Sequence, residues 1–155
     1  MTTSCAILGD SLAAGVAAFR PDCLSDTKVG ISTAAYLRAH TIAVEADTTL
    51  ISLGANDSTD DPGTADRLAG LRLQIKAPRV YWILPARPEA TRRIIRDIAQ
   101  AFGDRLIETR GYTASDGLHL APQTYRAIAS VFDLFSERRS QDAPAERGHD
   151  ETAQR

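Results

Sequence analysis

The sequence predicts an α/β fold in which a parallel sheet is covered by helices on both faces. Three observations point to it. Strand-like and helix-like segments alternate along the chain. The strand-like segments are continuous apolar runs, as expected of strands buried on both faces. Polar clusters follow several of them, at the edge where parallel sheets bind ligands.

Taken in order, Ala6 to Leu8 is a buried strand that runs through Gly9-Asp10-Ser11 into a helix rich in Ala and Leu, Leu12 to Phe19, ending before Pro21. Leu24 to Val29 is a weaker strand closing at Gly30. Ser32 or Thr33 can cap a short helix through Leu37, with His40 near its end. Thr48 to Leu53 is a strong strand that stops at Gly54-Ala55-Asn56-Asp57. After a polar loop to Pro62-Gly63, Thr64 can cap a helix whose Leu68, Leu71 and Ile75 fall at helical spacing, with Pro78 beyond its end. Val80 to Leu84 is the clearest strand, and Tyr81 and Trp82 within it are expected in the core. The next helix carries Ile94, Ile95, Ile98, Ala99 and Phe102 on one face, with Arg92, Arg93, Arg96 and Asp97 mostly on the other, and Gly103 ends it. Arg105 to Glu108 is a short last strand and Arg110 to His119 a loop. Tyr125, Ile128, Ala129, Phe132 and Phe135 mark the final helix.

The chain has 155 residues, 43% of them hydrophobic and 25% charged, which suits one globular domain, 1–136. From Glu137 onward only three alanines are apolar, so 137–155 is expected to be a disordered polar tail. A net charge of -2 gives no reason to expect a phosphate backbone as partner, and no nucleic-acid partner is expected. No apolar stretch approaches the ~20 residues of a membrane span. The N-terminus lacks a cationic n-region, so no export signal is read and a cytoplasmic location is expected. Cys5 and Cys23 lack metal-ligand spacing. In that setting they are expected to be reduced core residues, with a bridge as the alternative.

Ser11, at a strand-to-helix turn, is well placed to be a nucleophile if the chain supplies a base, an orienting group and oxyanion donors. Of the three histidines, His149 lies in the tail and His40 ends a helix without an arranged partner. His119 follows Asp116 by three residues, a turn that lets the carboxylate reach Nδ1-H and leaves Nε2 to accept the serine proton. Ser11, Gly30, Asn56 and His119 would then converge on one edge of the sheet.

These residues resemble the motif blocks of the SGNH hydrolase superfamily, the GDSL-type esterases and lipases. Gly9-Asp10-Ser11-Leu12 is similar to the first block, Gly30 to the second, Gly54-Ala55-Asn56-Asp57 to the GxND block and Asp116-Gly117-Leu118-His119 to the DxxH block. The resemblance spans Ala6 to about Ser136. It implies a flavodoxin-like three-layer sandwich with five parallel strands in the order 2-1-3-4-5. It also implies ester hydrolysis without cofactor or metal, acting on a small-molecule or carbohydrate ester. Ser11 would be the nucleophile, His119 the base and Asp116 its orienter. The Ser11 and Gly30 backbone N-H groups and the Asn56 amide would form the oxyanion hole. The oligomeric state is not readable.

Other readings of the same residues remain open. Gly-Asp-Ser can be turn chemistry with a capping side chain, Gly54 to Asp57 a plain loop, Gly30 a turn glycine, and Asp116 and His119 a solvated pair. Ser32, in a near miss to a G-x-S-x-G elbow, is expected to cap a helix. Arg87, in Pro85-Ala86-Arg87-Pro88, is either a contact for an anionic substrate group or a solvated loop arginine. An acyltransferase and an inactive binding module are the alternative functions.

Overall fold

The computed structural model describes residues 3–40 and 43–134. Strand β1 (Thr3–Gly9) leads into helix α1 (Ser11–Ala17), followed by β2 (Leu24–Thr27), α2 (Thr33–Ala39), β3 (Val44–Ser52) and α3 (Thr64–Leu73). Then come β4 (Ile75–Lys76), β5 (Arg79–Leu84), α4 (Glu89–Phe102), β6 (Arg105–Glu108) and α5 (Pro122–Ala129), which ends in a 3-10 turn at Ser130–Phe132. The main sheet is parallel throughout, in the order β2-β1-β3-β5-β6. That is the expected 2-1-3-4-5 order, with the two-residue β4 set aside.

Alternation along each strand builds the three layers. Ile7, Leu50, Tyr81 and Ile83 face Leu12 and Val16 of α1 and Tyr125 and Ile128 of α5. Their neighbours Leu8, Ile51, Trp82 and Leu84 face Tyr36 of α2, Leu68 and Leu71 of α3, and Ile95 and Ile98 of α4. Strand β1 lies between β2 and β3, so its carboxyl end, where Ser11 follows, sits inside the sheet's edge. Among the described residues no helix is long and apolar enough to cross a membrane.

Several expectations are corrected. Ile75 does not continue α3 but pairs with Val44 as β4, the sixth strand. Thr64 is not a cap. Gly63 holds that position, and the Thr64 hydroxyl donates to Asp57 at 3.0 Å. Arg92 is not on a solvated face. It is 1% exposed, and its guanidinium donates to the Pro85 carbonyl and the Glu108 carboxylate, each at 2.7 Å. These two partners offset part of the cost of burying that charge, although Nε is buried without a hydrogen-bond partner, and they tie α4 to the ends of β5 and β6. Phe102 is not on the buried face of α4: it is exposed, with the Arg72 guanidinium over its ring.

Cys5 and Cys23 are joined in a disulfide, against the expectation of reduced thiols. The register explains it. Ala6 pairs with Leu24, so the two preceding residues stand side by side with their Cα atoms 4.9 Å apart. The expected tail, the domain limit at 136 and Phe135 lie outside the described residues.

Candidate active site

The site starts from a tight strand-to-helix turn. Gly9 ends β1 at φ +133, and a Cβ there would stand 1.8 Å from the Ser52 carbonyl oxygen, so only glycine lets β1 and β3 close together at this point. Asp10 N donates to that same carbonyl at 2.8 Å. The buried Asp10 side chain caps α1 by accepting from Leu12 N at 3.1 Å, and it accepts from the Ser52 hydroxyl at 2.8 Å. Ser11 is thereby fixed as the first residue of α1, a position whose backbone N-H has no intrahelical acceptor. Burial pushes the Asp10 carboxyl up to about 6, against the hydrogen bonds from Ser52 and Leu12 that lower it.

The imidazole arrives from the far end of the chain. After β6, Thr113 and Leu120 form an antiparallel bridge, and Ala114 N donates to the His119 carbonyl at 2.7 Å. Within this narrow loop Asp116 Oδ1 accepts from Leu118 N and His119 N, both at 2.9 Å. Its Oδ2 lies 2.5 Å from His119 Nδ1, and His119 Nε2 lies 2.9 Å from Ser11 Oγ. The Leu118 N-H, the imidazole and the His119 N-H hold the Asp116 carboxyl down at about 2, so it is a carboxylate at neutral pH. An ionised carboxylate on Nδ1 fixes that nitrogen as the donor and leaves Nε2 basic toward the serine.

The loop after β3 supplies the next group. Asn56 Nδ2 donates to the Ile31 carbonyl at 3.2 Å, which ties it to the residue following Gly30. A side-chain amide carries two hydrogens, so one is left for another acceptor. Asp57 reinforces the join: Oδ1 accepts from Thr33 N at 2.7 Å and Oδ2 from the Thr64 hydroxyl. Gly30 is exposed in the β2–α2 loop, and Ser32 caps α2 as expected, accepting from Ala35 N.

Because the sheet is parallel, Ser11, Gly30, Asn56, Arg87 and His119 all follow strands at one edge. Ser11, His119 and Asp116 form one hydrogen-bonded chain. Asn56 joins the loop of Gly30, and Arg87 stands apart. It is exposed in the β5–α4 loop and, among the described residues, hydrogen-bonds none of the other four.

Four residues support these groups, and of them Asp10 alone was anticipated, as the capping side chain of its turn. Asp10 and Ser52 lock the Ser11 turn, Asp57 locks the Asn56 loop, and the Tyr125 hydroxyl accepts from Leu120 N at 3.3 Å beside His119. Asp57, like Asp10, lies inside a motif block, which is the one signal that could have found it. Among the described residues, the cluster of metal-ligating side chains close enough to share an ion is Cys5, Asp22 and Cys23, and its two sulfurs are bonded to each other.

No family profile matches the sequence, and no curated protein does. Solved structures do match. A protein assigned as a GDSL-like lipase from Bacteroides uniformis is 17% identical with a TM-score of 0.60, over 87% of this chain and 96% of that one. A carbohydrate acetylesterase of Sinorhizobium meliloti is 16% identical with a TM-score of 0.56, over 88% and 99%. The C-terminal catalytic domain of the Streptococcus pneumoniae peptidoglycan O-acetyltransferase A is 12% identical with a TM-score of 0.52, over 93% and 97%. At these identities the likeness is one of fold, and the chain has the fold of the SGNH, or GDSL-type, hydrolases.

Proposed function

We propose that the protein is a serine esterase that cleaves a carboxylic ester through an acyl-enzyme on Ser11. The observation that carries this reading is the unbroken chain from Ser11 Oγ to His119 Nε2 at 2.9 Å and from His119 Nδ1 to Asp116 Oδ2 at 2.5 Å. Ser11 Oγ attacks the ester carbonyl carbon as His119 Nε2 takes its proton, and Asp116 stabilises the imidazolium. The carbonyl oxygen, now an oxyanion, accepts from the Ser11 N-H, the Gly30 N-H and the second hydrogen of the Asn56 amide. His119 returns its proton to the departing alkoxide as the C-O bond breaks. Water, deprotonated by the same imidazole, then attacks the acyl-enzyme and releases the acid.

The His119 and Asp116 side chains are 45% and 48% exposed, so the reacting groups lie open to solvent. An open site suits a small acyl group on a bulky or exposed alcohol, and an acetylated carbohydrate fits that description. The acetylesterase and the O-acetyltransferase that share this fold act in that chemical neighbourhood. The same openness favours, as a second reading, transfer of the acyl group to an alcohol in place of water. Disulfides persist where thiol reductants are scarce, so the Cys5–Cys23 bond favours an oxidising compartment over the cytoplasm.

Purified protein is expected to release nitrophenol from 4-nitrophenyl acetate, and Ser11→Ala to lower the rate by roughly 10⁴-fold or more. Asn56→Ala is expected to cost about 10²–10³ in kcat. Equal turnover by Ser11→Ala and the parent would overturn the assignment. Added alcohols separate the two readings, since a transferase forms a new ester at the expense of free acid.

A further inference from the structure

A cavity lies on the face of the sheet away from α1, bounded by Leu24, Val44 and Ile75 at the amino ends of β2, β3 and β4 and reaching Leu8 and Asp26, which pair near the carboxyl ends of β1 and β2. Its volume is about 300 Å³, at the small end of the range for ligand pockets. Leu8, Tyr36, Val44, Leu71 and Ile75 give it apolar walls. Its polar end is built from Asp26 and His40. Against the expectation that His40 has no arranged partner, Asp26 Oδ2 lies 2.6 Å from its Nδ1, and the Tyr36 hydroxyl donates to the same carboxylate at 3.3 Å. The Tyr36 ring also packs on the imidazole, with centroids 4.3 Å apart.

This arrangement specifies a chemistry. A carboxylate on Nδ1 fixes the proton there, so Nε2 offers a lone pair, and among the described residues that nitrogen has no partner. The ring is held by both the carboxylate and the Tyr36 ring tilted against it at 34°, so it meets a ligand with little orientation left to lose. The Asp26 charge disfavours an anion at this end, and the apolar walls disfavour a charged or strongly hydrated body. What remains is a neutral molecule with an apolar body of one ring or a short chain and a single hydroxyl. None of these residues belongs to the Ser11–His119–Asp116 chain, so the cavity is independent of the esterase reading.

We propose that this cavity is a binding site for a small neutral apolar alcohol or phenol, whose O-H donates to His40 Nε2 while its body fills the space between the sheet and helices α2 and α3. The test is an NMR titration of isotope-labelled full-length protein with phenol, toluene and benzoate as probes. Phenol is expected to shift the amides of Leu24, Asp26, Val44 and Ile75 saturably before those of Ser11 and Asn56, and to bind at least about fivefold more tightly than either other probe. His40→Phe is expected to erase the preference for phenol over toluene and to leave ester hydrolysis unchanged. The comparison of the three probes in the unaltered protein requires no variant to fold. The proposal is overturned if no probe saturates these amides, if toluene or benzoate binds as tightly as phenol, or if phenol perturbs the Ser11 edge alone.

Discussion

Gly15 in α1 is a sharp test of how the imidazole is positioned. In the middle of a helix, glycine to alanine ordinarily stabilises by about 1 kcal/mol. Here a Cβ would stand 2.5 Å from Tyr125 Cε1, 2.6 Å from Cζ and 2.7 Å from Cδ1. The ring is buried against α1, so it must retreat by about 1 Å to reach ordinary carbon contact. Such overpacking costs roughly 1–3 kcal/mol, which outweighs the helical gain, and Gly15→Ala should be less stable by about 1 kcal/mol. The same retreat pulls the Tyr125 hydroxyl from Leu120 N and moves the neighbouring His119 away from Ser11 Oγ. A misplacement near 1 Å costs on the order of 10²-fold in rate. Urea unfolding and nitrophenyl acetate kinetics read the two effects. In a Tyr125→Ala background the clash is gone, and Gly15→Ala should there stabilise by about the intrinsic 1 kcal/mol. If Gly15→Ala stabilises the parent and leaves its turnover intact, the ring has room to spare and does not hold the histidine loop.

Two further perturbations address the frame. The folded state holds the Asp10 proton up to about pH 6 against a reference of 3.8, so it binds that proton more tightly than the unfolded chain. The associated stability is therefore full below pH 4 and lost as pH rises to 6, by up to about 3 kcal/mol. Asp10→Asn should flatten this part of the stability–pH curve, and parallel curves for variant and parent would refute the account. The Cys5–Cys23 bond closes a loop with a sequence separation of 18, for which chain entropy gives about 3 kcal/mol. Replacing both cysteines with alanine, or adding reductant, should lower stability by that order in urea unfolding. No change on reduction would mean that the sulfurs pack as thiols.

The candidate site was legible because its signals are local in sequence. Gly9-Asp10-Ser11 is one turn, and Asp116 and His119 sit three residues apart in another, so each piece could be recognised without knowing what it would meet. The strands were legible for a related reason: an apolar run such as Val80 to Leu84 is buried on both faces wherever the sheet places it. What escaped depends on register and on distant partners. The cysteines pair only because Ala6 meets Leu24. A charge count assigns Arg92 to solvent, and only the convergence of Pro85 and Glu108 on its guanidinium offsets part of the cost of burial. Two residues of β4 are too few to carry a pattern, and pairing with Val44 and Glu45 alone makes them a strand.

The GxND block shows why a motif locates a site more readily than it explains one. Its asparagine and aspartate are adjacent, yet they act through different partners. Asn56 reaches back to the Ile31 carbonyl, whereas Asp57 bridges Thr33 N at the start of α2 and the Thr64 hydroxyl at the start of α3. The loop that presents Asn56 is therefore held by its neighbour, just as the turn that presents Ser11 is held by Asp10 through Ser52 and Leu12. In both blocks a carboxylate beside the candidate reacting group anchors the backbone that carries it. Hydrogen bonds from several donors to one carboxylate fix a loop more firmly than neutral contacts do, since charge-assisted bonds are roughly twice as strong. Read this way, the acidic residues of the two blocks set where Ser11 and Asn56 stand relative to each other, and the chemistry proposed for the edge of the sheet depends on that spacing.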